Sequence, residues 1–99
     1  MIQEPPVGES LFVRVNDEVV FVPSLDMPYQ RMLKEKGWPT DRAFVRTNQV
    51  DLGVAVRGDN DVALGGRSVI YDWPPRDDTE IRPATENILR RKFPELDLG

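Results

Sequence analysis

The stretch Leu11-Phe-Val-Arg-Val-Asn-Asp-Glu-Val-Val-Phe-Val22 decides the fold of this chain. Leu11 to Val15 and Glu18 to Val22 are rich in β-branched and aromatic residues, which suit a pleated, half-buried surface. Between them, Asn16-Asp17 reads as a two-residue hairpin turn. That turn sets a register in which Val15 faces Glu18, Val13 faces Val20 and Phe12 faces Phe21. Because strand side chains alternate, Leu11, Val13, Val15, Val20 and Val22 share one face. Phe12, Arg14, Val19 and Phe21 share the other. Both faces are largely apolar, unlike a sheet with one wet side. Phe12 and Phe21 therefore need a cover, either a second layer of the chain, such as the helix that follows, or a partner.

Working outward, residues 1–10 are a polar, proline-bearing lead-in. Residues 26–37 read as a short helix, with Asp26 as N-cap and Tyr29, Met32 and Leu33 on one face. Gly37 supplies a left-handed stop that lets Trp38 pack back on Leu33, and Pro39 forbids continuation. From Ala43 to Tyr71 the pattern is strand-like: Ala43 to Thr47, Val50 to Val56, Val62 to Leu64 and Arg67 to Tyr71. Residues 57–61 form a loop and Gly65-Gly66 a tight turn. Residues 72–83 are a proline-stiffened connector. Pro83 opens a last helix, where Ala84 pairs with Ile88 and Leu89 with Phe93, and Pro94 closes it. The expected fold is α+β: a small, mostly antiparallel sheet with one packed helix. An extended C-terminal arm, ending in a short helix, completes it. Residues 1–10 form an arm, 11–73 the core domain, and 74–99 the connector and C-terminal arm.

Composition removes whole classes of function. Ninety-nine residues make one domain's core. With 17 acids against 13 bases the net charge is −4, and the only basic run is Arg90-Arg91-Lys92, so a nucleic-acid partner is not expected. The chain has no cysteine and no histidine. That deletes the commonest general base, a thiol nucleophile and most transition-metal ligands. Of the serines Ser10, Ser24 and Ser68, none sits in a nucleophile elbow. A chance carboxylate pair is the one route left to acid–base hydrolysis. No apolar run is long enough to span a bilayer and the N-terminus is no signal peptide, which points to a cytoplasmic protein without a membrane partner.

Three short motifs invite a functional reading. Arg57-Gly58-Asp59 spells an adhesion tripeptide, but Gly, Asp and Asn are also plain turn residues. Asp59-Asn60-Asp61 begins like a calcium loop, yet Ala63, Leu64 and Ile70 stand where oxygen ligands and a glycine are required. Neither a metal nor a cofactor is expected. Trp73-Pro74-Pro75 is either a stiff docking element or a cover for the edge of its own core.

The order hairpin, helix, strand over residues 11–47 resembles the opening of ubiquitin-like β-grasp proteins, including the small sulfur carriers. Val13 to Pro23 is similar to their first hairpin and Leu33 to Trp38 to the end of their helix. The tail Leu96-Asp-Leu-Gly99 echoes a ubiquitin-type end. The resemblance implies a carrier or modifier acting through the Gly99 carboxylate.

The reading that the residues favour is different: a non-catalytic protein–protein interaction module or structural subunit of a larger assembly. A virion or multisubunit coat is one setting, and a homo-oligomer is another. The candidate partner-binding residues are Phe12, Phe21, Trp73, Ile88, Leu89 and Phe93.

Overall fold

Asn16 takes the left-handed backbone, at φ 52°, that short hairpin turns demand of their first residue. This is a computed structural model, and it describes residues 1–99. The turn joins β1 (Gly8–Val15) to β2 (Glu18–Val22) in the expected register, Val15 to Glu18 and Phe12 to Phe21. On its other side β1 pairs antiparallel with β3 (Asp51–Arg57), which turns back through β4 (Asp61–Gly65). A two-residue strand, β5 (Asp97–Leu98), lies parallel to β4. The result is a mixed five-stranded sheet, ordered β2-β1-β3-β4-β5, within a small α+β fold.

Both faces of the sheet are covered. Helices α1 (Tyr29–Glu35) and α2 (Arg42–Thr47) lie on the Val13 face. There Met32, Leu33 and Val45 pack with Leu11, Val13, Val50 and Leu52. Helix α3 (Ile81–Lys92) covers the opposite face, where Ile88, Leu89 and Leu96 pack with Phe12, Val19, Phe21 and Val62. Helix α1 ends as expected. Gly37 is left-handed at φ 78°, the Trp38 N–H donates to the Leu33 carbonyl at 3.0 Å, and the Gly37 N–H donates to Lys34 at 3.0 Å. Its start differs: the helix begins after Pro28, with Asp26 outside it.

Three expectations change. Ala43 to Thr47 is helix, not strand, because Asp41 caps it by accepting the Phe44 N–H at 3.3 Å. The helix then stops as α1 does, with Gln49 left-handed at φ 48° and the Val50 N–H on the Val45 carbonyl at 2.9 Å. This helix also breaks the hairpin–helix–strand order of the β-grasp resemblance. Arg67 to Tyr71 is not a strand either. Ser68 and Trp73 form an isolated antiparallel bridge that closes a loop over residues 69–72.

The third change concerns residues 74–99, read above as an arm. The Asp78 carboxylate accepts the backbone N–H groups of Glu80, Ile81 and Arg82 at 2.8–3.0 Å. That nucleates α3 two residues before Pro83, which sits in the first turn where no donor is needed. The helix then lies on the sheet. The C-terminal segment is a layer of the core.

The N-terminal residues run beside β2. Ile2 bridges Val19 in parallel, and the Gln3 side chain accepts the Phe21 N–H at 2.9 Å. This occupies an edge that would otherwise expose unpaired backbone groups.

Candidate interaction surface

Five of the six residues expected to bind a partner are brought together, but inward. Phe12 and Leu89 are fully buried, and Phe21 and Ile88 nearly so. Their rings and side chains form one cluster between the sheet and α3, with Phe93 packed at its border. The Phe12 and Phe21 centroids are 6.2 Å apart and tilted at 45°, a favourable aromatic arrangement. Trp73 closes the other cluster, where its indole N–H donates to the Val50 carbonyl at 2.8 Å and the Arg46 guanidinium lies 5.1 Å from its ring. These side chains build the fold and leave its surface to others. Arg57 of the adhesion-like tripeptide is also turned back, bonding the Pro5 carbonyl at 2.6 Å and Glu4 at 3.2 Å.

Apart from Met1, Val7 and Val56, the exposed large apolar side chains lie around a groove beside the loop following Gly66. Val69 is 85% and Ile70 76% exposed, and Leu25 stands 49% exposed nearby across a groove. The groove holds about 550 Å³ and runs between the residues preceding α1, the start of α2 and the 67–71 segment. Leu11, Pro28, Tyr29 and Tyr71 supply its apolar lining.

The loop that carries Val69 and Ile70 is braced at every turn. Ser68 and Trp73 exchange backbone hydrogen bonds at 2.8 and 3.2 Å, and the Asp72 N–H donates to Val69 at 3.2 Å. The Ser68 hydroxyl accepts the Tyr71 N–H at 3.1 Å. Arg67 donates to Asp72 at 2.7 Å and to the Pro74 carbonyl at 2.9 Å. From across the groove, Arg42 donates to the Ile70 carbonyl at 3.0 Å, and the Tyr71 hydroxyl to the Thr40 carbonyl at 2.6 Å. Two β-branched side chains are thus held in water on a fixed backbone. A surface ordered before binding loses less entropy when it binds.

The two tyrosines of the groove are held in their neutral form. Burial pushes the Tyr29 phenol up to about 12, with Asp51 raising it further and Arg82 opposing. It stays a neutral donor to the Gly53 carbonyl at 2.9 Å. Tyr71 is raised by burial and by the Asp41 charge. The one carboxylate lining the groove, Asp41, is occupied in capping α2. No second carboxylate is placed there for acid–base work.

The most buried polar cluster lies under α3. Asp51, fully buried, accepts the Arg82 Nε at 2.9 Å and the Thr85 hydroxyl at 2.8 Å. Thr85 in turn accepts the Arg14 Nε at 2.8 Å, while Arg14 donates again to the Ile81 carbonyl at 2.9 Å. Arg82 also reaches the Leu52 and Gly66 carbonyls and lies 5.2 Å from the Phe12 ring. Each side chain in this cluster meets a partner, so the cluster pins the helix to the sheet.

No group of three aspartate or glutamate side chains is positioned to hold a metal ion, and no helix is long and apolar enough to cross a membrane. Neither a protein-family model, a curated protein nor a solved structure matches the chain.

Sequence reasoning missed Leu25, Val69 and Ile70. Read as a strand, 67–71 sends Val69 and Ile70 to opposite faces, one of them buried. Only the Ser68–Trp73 bridge, a long-range consequence of where Trp73 is anchored, turns both outward.

Proposed function

We propose that this chain is a non-catalytic protein-interaction module, a subunit of a larger assembly drawn from a cytoplasmic pool, and that it docks through the Val69–Ile70 loop and its groove. The observation that carries this reading is the rigid exposure of two adjacent β-branched side chains beside an apolar groove. Apolar surface of this kind costs free energy in water, and clustered patches mark interaction sites. The negative net charge argues against a nucleic-acid partner. The absence of histidine and cysteine, and the neutral, occupied side chains in the groove, argue against chemistry there.

The test is the size of the complex in which the chain travels in extracts of its source. Full-length chain is expected to elute well above its own mass. A Val69→Asp/Ile70→Asp chain, folded by circular dichroism, is expected to elute alone. A complex of unchanged size in the double variant would refute the assignment of this face.

A further inference from the structure

We propose that the cleft between Gly66 and Arg67, the segment from Pro74 to Asp78 and the start of α3 binds a phosphate group through Arg67, Arg76 and Arg82. This site does not depend on the interaction reading above.

The lining of the cleft is the first ground. It holds about 240 Å³, below the roughly 300–1,000 Å³ of pockets that bury whole small molecules. That size suits one polar group. Three of its seven lining residues are arginines and, prolines apart, it presents no apolar side chain. The guanidinium fork matches phosphate oxygens in shape as well as charge. Cations gathered around a small cleft repel one another. A dianion with several oxygens relieves that repulsion more fully than a monovalent carboxylate does.

The donors are held in place by the fold. Arg67 directs Nε to the Pro74 carbonyl at 2.9 Å and Nη2 to Asp72 at 2.7 Å. Arg82 directs Nε to Asp51 at 2.9 Å, and Nη2 to the Leu52 and Gly66 carbonyls at 3.3 and 2.7 Å. Each guanidinium plane is thus fixed, while its Nη1 takes no protein partner. Arg76 is exposed on the cleft and bonds to no protein group. Its backbone is nevertheless set: two prolines precede it, and the Asp78 N–H donates across it to the Pro75 carbonyl at 3.0 Å. Bracing of loop and helix accounts for Arg67 and Arg82 but not for Arg76. A site arranged beforehand loses less entropy on binding.

Nearby acids leave room for an anion. Asp78 is the one carboxylate lining the cleft, and both its oxygens accept the N–H groups that open α3. Asp51 is fully buried. Asp72 lies outside the lining and sits in a positive field. Its carboxyl is held below the usual carboxylate range by the Arg67 hydrogen bond, with the charges of Arg67, Arg46 and Arg76 adding to it.

Amide NMR of the full-length chain tests this, with inorganic phosphate and, separately, glycerol phosphate titrated in at constant ionic strength. Saturable shifts are expected at Gly66, Arg67 and Arg76. Arg76→Ala, the change least able to disturb the fold, should weaken phosphate binding roughly tenfold with unchanged circular dichroism. Arg67→Ala is a second variant with the same expectation. Arg31→Ala removes an equal charge at an exposed arginine of α1 and should bind as the wild type does. Tighter binding of glycerol phosphate than of inorganic phosphate assigns the site to a phosphate ester, and equal or weaker binding assigns it to the free ion. Shifts that never saturate, or that sodium chloride alone reproduces, overturn the proposal. Unchanged phosphate affinity in both Arg76→Ala and Arg67→Ala overturns it too, as does an equal loss in Arg31→Ala.

Discussion

Phe12 lies directly over Gly53, its register partner on β3. A Cβ at Gly53 would come within 2.7 Å of the Phe12 ring, 2.6 Å of the Arg82 guanidinium and 2.6 Å of the Gly65 carbonyl oxygen. The missing side chain is what lets the aromatic ring and the guanidinium stack on the sheet. Hence one glycine joins the apolar cluster under α3 to the polar cluster beside it.

Gly53→Ala therefore overpacks a site where one neighbour is backbone and cannot swing away. The expected cost is about 1–3 kcal/mol, read as a lower urea midpoint with an unchanged denaturant slope. A wild-type midpoint would mean that the ring and guanidinium pack more loosely than described.

The two short helices on the other face make a paired experiment. Both end through a left-handed residue, glycine at position 37 and glutamine at 49, with φ of 78° and 48°. Gly37→Ala should lose about 1 kcal/mol to the left-handed penalty. Gln49→Gly should gain a few tenths to about 1 kcal/mol by relieving the same strain. Thermal melts moving in opposite directions support the stop geometry at both ends, and a destabilised Gln49→Gly contradicts it at α2.

Arg82→Ala would strand the fully buried Asp51 without its closest cation. Removing one partner of a buried pair typically costs about 3–5 kcal/mol. Arg14 and Thr85 stay nearby, which places the expected loss at the lower end, about 3 kcal/mol. Chemical denaturation measures it. Arg82→Lys should recover only part, since a single ammonium cannot reach Asp51, Leu52 and Gly66 together.

Alkaline stability should depend on Tyr29. Its phenol titrates near 10.0 when unfolded and is pushed up to about 12 in the fold by burial. A raised acid group binds its proton more tightly in the native state, so its contribution is complete below the unfolded value. It is lost as pH rises through the folded one. Stability should therefore fall between pH 10 and about 12. Tyr29→Phe, which cannot ionise, should flatten that decline. An equally steep fall in the variant would assign the alkaline transition to other groups.

The sequence by itself determined the features that local geometry governs. Asn16-Asp17 fixed the register of Phe12 on Phe21 because a two-residue turn leaves no slack. Gly37 and Trp38 fixed the end of α1 because the stop needs only the last turn of its own helix. The apolar character of both hairpin faces required two covers. What covered the second face was decided by tertiary structure. Pro83 and Pro94 punctuate α3, but whether its Ile88–Leu89 side turns to a partner or to Phe12 depends on contacts across some seventy positions of chain. Ala43 to Thr47 was ambiguous for a related reason. A short apolar run fits either period, and the Asp41 cap together with the burial of Val45 against the sheet resolved it as helix. The candidate surface was the least legible part. Exposure is a property of what fails to pack nearby. Val69 and Ile70 reached water only because Trp73 is bound to Val50 and Arg42 to the backbone of their loop.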